Sequence, residues 1–338
     1  MRGYLFEAVV LRLIEANGFM LVPIIPGRTR QSREAFLEVK GRGTWHQIDC
    51  PCDYTRIIPF MYPIRMLGEV KFFTKPISKD YVREFIGAIK DIQENYFVDD
   101  ENLTIPDRVS EVGVFFSASG FEPEAEKLAF VHNIRTVSYA NNPLIDRVKK
   151  IVSITEEDYL DTQICLRGDG TVARFLRSFT QVLSGEPQSL ERFVRDFRPR
   201  YGFREQVDRL LRSFMSIEAS FVGTTSGGAL LHFVGSEPFP EEVFQDTDEQ
   251  MSRVYYEGHD NHRFFYMMLN QDARGRRFYF TPPIALAEAA FRSQREAAIQ
   301  KMQLLRTVHI PMRVNDINRH LVIRLDTDWL EPMVGYRI

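Results

Sequence analysis

Arg65-Met66-Leu67-Gly68-Glu69-Val70-Lys71-Phe72-Phe73 sets an acid and a lysine two positions apart inside a largely apolar run. Alternate side chains of a β-strand share a face, so a strand here projects Glu69 and Lys71 together and turns Val70 into a core. A carboxylate beside an ammonium is common on solvated sheet faces. It is also what a site that handles phosphate esters uses, and the triplet alone does not decide.

Asp49 lies twenty residues upstream, at the end of His46-Gln47-Ile48-Asp49, where a second strand segment is expected to run on to about Cys52. Two carboxylates from neighbouring strands can share a hard cation such as Mg²⁺ or Mn²⁺, which prefers oxygen ligands and keeps several waters. A lysine alongside can orient one of those waters or offset phosphate charge. Gln47 shares the strand face of Asp49 by the same i, i+2 spacing, which makes it a candidate nucleic-acid contact.

At the chain start, Leu5/Phe6, Val9/Val10 and Leu13/Ile14 recur at helical spacing and Asn17-Gly18 ends the pattern as a C-cap does. Glu7 lies one turn into that helix, at the edge of its apolar face. From there it either reaches inward toward the other acids or serves as an ordinary acid of a helix N-terminus. Strands are expected at 19–25, 65–73, 112–117 and 134–137, with helices starting at Ser78 and Glu122. The order is helix, strands, helix, strand, helix, strand.

With these pieces in that order, residues 1–140 resemble the Mrr-like branch of the PD-(D/E)xK nucleases. The resemblance is carried by Gly3-Tyr4-Leu5-Phe6-Glu7, Arg42-Gly43, His46-Gln47-Ile48-Asp49, Glu69-Val70-Lys71, and the 112–117 strand followed by Gly120-Phe121-Glu122-Pro123-Glu124-Ala125. It implies an α/β restriction-endonuclease-like domain, a central mixed sheet flanked by helices. Carried over by motif, Asp49 and Glu69 are the Mg²⁺- or Mn²⁺-binding acids, Lys71 the catalytic lysine and Glu7 an accessory acid. Many Mrr-like proteins have glutamine at the position of Glu69, whereas this chain has the acid usual in the wider superfamily, which favours activity. The implied function is a metal-dependent DNA endonuclease of restriction or anti-phage defence, working as a homodimer. The rivals are a non-cleaving ligand-sensing or interaction protein on the same fold, and a nuclease acting on RNA or single-stranded DNA.

A length of 338 residues suggests two domains of roughly 150 residues each. The boundary is expected near residue 150, after the Asn141-Asn142-Pro143 turn signal, giving 1–150 and 151–338. No run approaches the ~20 apolar residues of a membrane span, and Glu7 interrupts any signal-like start, so the expected compartment is the cytoplasm. Cys50, Cys52 and Cys165 are an odd count that argues against a disulfide framework, and Cys50-Pro51-Cys52 lacks the partners of a zinc site.

The net charge of −3 offers no global footprint for a polyanion. Locally, Arg198, Arg200, Tyr201 and Arg204 sit in an arginine- and aromatic-rich stretch suited to phosphate contact and base stacking. Glu191, Asp196, Glu205 and Asp208 interleave there and favour a salt-bridged helix face. The second half reads as an α+β domain for recognition or regulation, through which a protein or nucleotide activator could act. Its helices are expected at 172–183, 190–214 and 283–305, and its strands at 229–234, 253–256, 263–269, 276–280, 308–313 and 321–325. Gly223-Thr224-Thr225-Ser226-Gly227-Gly228 lacks the Gly-Lys-Ser/Thr of a P-loop and reads as a surface loop, and His259-Asp260-Asn261-His262 as a polar turn.

Overall fold

The helical spacing at the chain start winds into α1 (Arg2–Glu15), burying Leu5, Phe6, Val9, Val10, Leu13 and Ile14. Asn17 closes it by donating its side-chain amide to the Leu13 carbonyl at 2.8 Å, and Gly18 takes φ +85°, the left-handed conformation of a C-cap. The computed structural model describes residues 2–32, 36–56, 61–96, 108–158, 171–197, 203–258, 263–314 and 317–335.

Five strands form a mixed sheet: β1 (Phe19–Leu21), β5 (Cys50–Tyr54), β6 (Ile64–Lys71), β7 (Ser110–Ser117) and β8 (Arg135–Ser138), in the order β1-β5-β6-β7-β8. β5 runs antiparallel to β1 and β6. β6 and β7 are parallel, with Glu69 opposite Phe115 and Lys71 opposite Ser117. A parallel pair needs a long crossover, and α2 (Lys79–Gln93) supplies it. Val82, Phe85, Ile89 and Ile92 of α2 pack on Leu67 and Phe115, together with Ala125 and Ala129 of α3 (Pro123–Val131).

The segment between β1 and β5 forms a second sheet, β2 (Thr29–Gln31), β3 (Leu37–Lys40) and β4 (Trp45–Gln47), paired in that order. Asp91 of α2 anchors its last hairpin, accepting the Gly43 N–H at 3.0 Å and pairing with His46 Nε2 at 2.8 Å.

Backbone packing divides the chain into two compact units, Met1–Thr136 with Lys149–Phe214, and Val137–Val148 with Met215–Ile338. The chain crosses between them three times, once inside α4 (Pro143–Asp158) between Val148 and Lys149. The first unit takes in α5 (Thr171–Leu183), α6 (Ser189–Phe197) and nearly all of α7 (Phe203–Met215). Phe175 and Phe193 are fully buried with ring centroids 5.1 Å apart, Phe197 lies 5.2 Å from Phe193, and α5 packs along α1.

In the second unit β9 (Ala219–Thr225), β10 (Leu230–Gly235), β11 (Glu249–Glu257), β12 (Phe264–Leu269), β13 (Phe278–Phe280), β14 (Thr307–Val314) and β15 (Ile317–Leu325) close into a barrel in the order β10-β13-β12-β11-β15-β14-β9. The expectation of an α+β domain did not contain this closure. All pairings are antiparallel except β11 with β15. The glycine-rich segment is not a loop throughout: Gly223, Thr224 and Thr225 belong to β9, and the hairpin turn follows, with Gly228 at φ +86°. A Cβ on Gly223 would stand 2.5 Å from Val308 Cγ1, so glycine is what lets β14 approach. The helix expected at 283–305 is two, α8 (Ile284–Arg292) and α9 (Gln294–Leu304), broken at Ser293, whose side chain accepts the Glu296 N–H and caps the second. Among the described residues no helix is long and apolar enough to cross a membrane.

Asp326 caps α10 (Thr327–Val334) by accepting the Trp329 N–H at 3.2 Å, and accepts Arg253 Nε at 2.8 Å and Asn270 Nδ2 at 2.9 Å. Burial pushes this carboxyl up, but the donors from Arg253, Asn270 and Trp329 outweigh it and the net shift is downward. A lowered carboxyl stabilises the fold above its unfolded pKa, and that contribution fades on acidification. Asp326→Ala is therefore expected to destabilise the chain by about 1–2 kcal/mol at pH 7. In thermal unfolding the gap to wild type should narrow as pH falls through the carboxylate range.

Candidate active site

Gly68 lets β5 and β6 approach closely, since a Cβ there would meet Cys50 Cβ at 3.0 Å and the Cys50 carbonyl oxygen at 3.1 Å. Their ladder ends at the Cys50–Gly68 pair, which leaves the Val70 N–H without a partner on that side. Asp49 fills the gap: its Oδ2 accepts the Val70 N–H at 2.9 Å. The acid is thereby fixed beside Glu69 and Lys71, which flank Val70, itself only 2% exposed.

Asp49 lies in a bend between β4 and β5 rather than in a strand. The expected strand-face relation to Gln47 therefore does not hold, because the chain changes sheets between them and Gln47 ends β4 in the three-stranded sheet. Gln47 is exposed and still lines the same cleft as Asp49.

Lys71 Nζ ion-pairs with Glu69 Oε1 and lies 3.9 Å from Asp49 Oδ2. Glu7 enters from α1, close enough that its proton affinity responds to Asp49, Lys71 and Glu69. Four residues separated by up to 64 positions thus form one electrostatic cluster. The Asp49 side chain is 9% exposed and that of Glu69 20%. Burial, reinforced by Asp49, pushes Glu7 up to about 8. Burial and then Asp49 push Glu69 up to about 7. Burial also raises Asp49, against the pull of Lys71 and the Val70 N–H. For Lys71 burial works downward, but Glu69 and Asp49 prevail and its ammonium is held more tightly than usual.

A cleft of about 600 Å³ opens beside Glu7 and Asp49. Leu21 and Ile24 line it on one wall; Arg177, Thr180 and Gln181 of α5, with Ser184 in the turn just past its end, line another. Those four positions follow i, i+3, i+4, i+7 and so form one stripe, while Phe175, Phe179 and Val182 face the core. This wall was not foreseen from sequence. The stripe is legible there, but a polar stripe on an amphipathic helix is the ordinary signature of a solvated face.

Arg198, Arg200 and Tyr201 lie outside the described residues, as do Cys165 and 259–262. Arg204 falls in α7, with its side chain outside what is described. Cys50 and Cys52 are buried with their thiols raised by burial, and act as core side chains. Among the described residues no group of three or more His, Cys, Asp or Glu side chains is placed to hold a metal ion.

No family model matches the chain, and no curated protein does. Among solved structures, a protein of unknown function, AF1548, is 17% identical, with 62% of this chain and 95% of that chain covered at a TM-score of 0.33. A similarity of that size carries no argument about this chain.

The raised acids make a stability prediction with a definite sign. A carboxyl raised in the folded state favours folding while it holds its proton, and that contribution is lost as pH rises from 4.5 through about 8 for Glu7. Glu7→Gln cannot ionise. It is expected to melt a few degrees above wild type at pH 9 in EDTA, the shift that about 1 kcal/mol produces in a domain of this size, with the difference shrinking toward pH 5. A pH-independent difference would show that Glu7 does not belong to the cluster.

Proposed function

We propose that the first unit is a metal-dependent DNA endonuclease that hydrolyses phosphodiester bonds at the Glu7, Asp49, Glu69 and Lys71 cluster. The observation that carries this reading is the convergence of three carboxylates on a single ammonium, with Asp49 locked by the Val70 N–H and Lys71 bridging Asp49 and Glu69.

The donor set fits a hard divalent cation. Its oxygens are carboxylates, whose proton affinity is raised chiefly by burial, with repulsion from Asp49 added at Glu7 and Glu69. Mg²⁺ is commonly held by one or two protein carboxylates, with water and substrate phosphate completing its shell, so Asp49 and Glu69 suffice without a third ligand. Glu7 would support them. Bound there, Mg²⁺ or Mn²⁺ would polarise the phosphate and acidify a water.

The remaining work falls to the chain. Lys71 is kept charged by its two acids and can both orient the attacking water and offset phosphate charge. Asp49 cannot swing away without stranding the Val70 N–H. Glu69 must shed its proton before it can coordinate, and Glu7 before it can support the ligands as an anion, so activity should rise between pH 6 and 8. A role in restriction or defence and a two-fold dimer belong to the same proposal and rest on the family resemblance alone; control through the second unit by a protein or nucleotide is a proposal that the resemblance, confined to residues 1–140, does not carry.

Supercoiled plasmid incubated with Mg²⁺ or Mn²⁺ should be nicked or linearised by wild type and left intact in EDTA. Asp49→Ala, Glu69→Ala and Lys71→Ala should each lose about a hundredfold or more, the scale of several kcal/mol of transition-state stabilisation, with the fold retained by circular dichroism. Wild-type rates in any of the three would sink the assignment.

A further inference from the structure

Taking Asp49 and Glu69 as the cleavage centre, we propose that the cleft beside them receives an unpaired strand of DNA, with its bases on the Leu21/Ile24 wall and a phosphate on Arg177 of α5. The two walls differ in chemistry. Leu21 is 39% and Ile24 51% exposed, large apolar side chains left in water in a cleft that also holds the carboxylates of Glu7 and Asp49. Phe36 adds an aromatic edge, its ring stacked 5.5 Å from Tyr4.

Duplex DNA hides its base faces in the stack and offers a surface mainly of phosphate and sugar, for which an exposed isoleucine and leucine have no use. An unpaired strand offers bare base faces, and apolar or aromatic surfaces take them up with little regard to sequence. A volume of about 600 Å³ also suits a nucleotide-sized guest. The apolar wall offers no polar partner for a ribose 2′-hydroxyl, which favours the deoxy sugar.

α5 supplies the polar side. Arg177 is exposed, and its guanidinium can grip a phosphate through two parallel hydrogen bonds. Thr180, Gln181 and Ser184 follow it along the same stripe, so a strand lying on α5 meets one cation and then a run of neutral polar groups. Gln47 stands where the small sheet leads into Asp49, placed to meet the edge of a base. Arg12, the other arginine lining the cleft, is already paired with Glu15 at 3.2 Å. Among the described residues, that leaves Arg177 as the cation lining the cleft on which backbone contact depends.

The test uses the full chain carrying Glu69→Gln with Mg²⁺, so that binding is read without cleavage. Three fluorescent probes of one sequence and about twelve nucleotides, within the footprint of single-strand binders, are compared by anisotropy: single-stranded DNA, its duplex, and RNA. Single-stranded DNA should bind at least about tenfold more tightly than the duplex, and more tightly than RNA. Adding Arg177→Ala should weaken single-strand binding by about tenfold and reduce the salt slope by about one, while Arg177→Lys restores most of the slope. Ile24→Asp should weaken the same complex with the melting temperature unchanged.

Duplex or RNA binding as tight as that of the single strand, no binding to any probe, or affinity unmoved by both Arg177→Ala and Ile24→Asp overturns the inference. Metal-dependent plasmid cleavage by wild type accompanied by any of those results strikes only the strand assignment. Absence of cleavage on every nucleic acid and metal strikes the endonuclease reading itself.

Discussion

Three carboxylates held against one ammonium, largely away from water, are the constraint on which the first unit is built. Each acid is raised by burial, and Glu7 and Glu69 are raised further by Asp49, so the cluster opposes folding whenever its members ionise. Such an arrangement persists only where the surrounding structure leaves its members no escape. α1 holds Glu7 with Phe6, Val9 and Val10 at 0% exposure, and β6 holds Glu69 and Lys71 around Leu67 and Val70, at 0% and 2%. The stability resides in the core, and the reactivity in the groups that the core keeps in place.

Asp49 is held differently. It occupies the point where one ladder ends and the chain turns into another sheet, and its carboxylate satisfies a backbone donor that the ladder leaves over. One contact thus serves both purposes: it pays the desolvation debt of the Val70 N–H and it presents the acid to Glu69 and Lys71. The Asp91 contacts to Gly43 and His46 tie down the hairpin that leads there, so α2 helps to aim a residue it does not touch.

The second unit follows a different rule. Its seven strands close on themselves and leave no long open edge, around a core that includes Phe221, Phe233, Phe278 and Phe280. Phe221 and Phe233 stack at 5.0 Å across the β9–β10 hairpin. Within the same hairpin, His232 of β10 links Ser220 of β9 and Tyr139, each at 2.8 Å, and burial drops it to about 4, so it is neutral in this chain of hydrogen bonds at ordinary pH. Those contacts fasten residues 137–148 to the barrel as part of the same unit.

Local periodicity was enough to place α1, β6, α2, β7 and α3, because each carries its own apolar spacing, and to mark Glu69 and Lys71 as partners on one strand face. It also ran most of the barrel strands close to their observed positions, though their closure requires pairing between β9 and β14, more than 80 residues apart, which no local window records. The same limit hid the bend at Asp49, since a strand pattern continues across a change of sheet, and the place of α5 beside Glu7, since a polar stripe looks the same whether it faces water or a cleft. What the sequence determined by itself is which residues belong on one face of one element. Which faces meet was decided only by tertiary packing, because contacts between distant segments depend on register, crossover and close approach at residues such as Gly68 rather than on spacing along the chain.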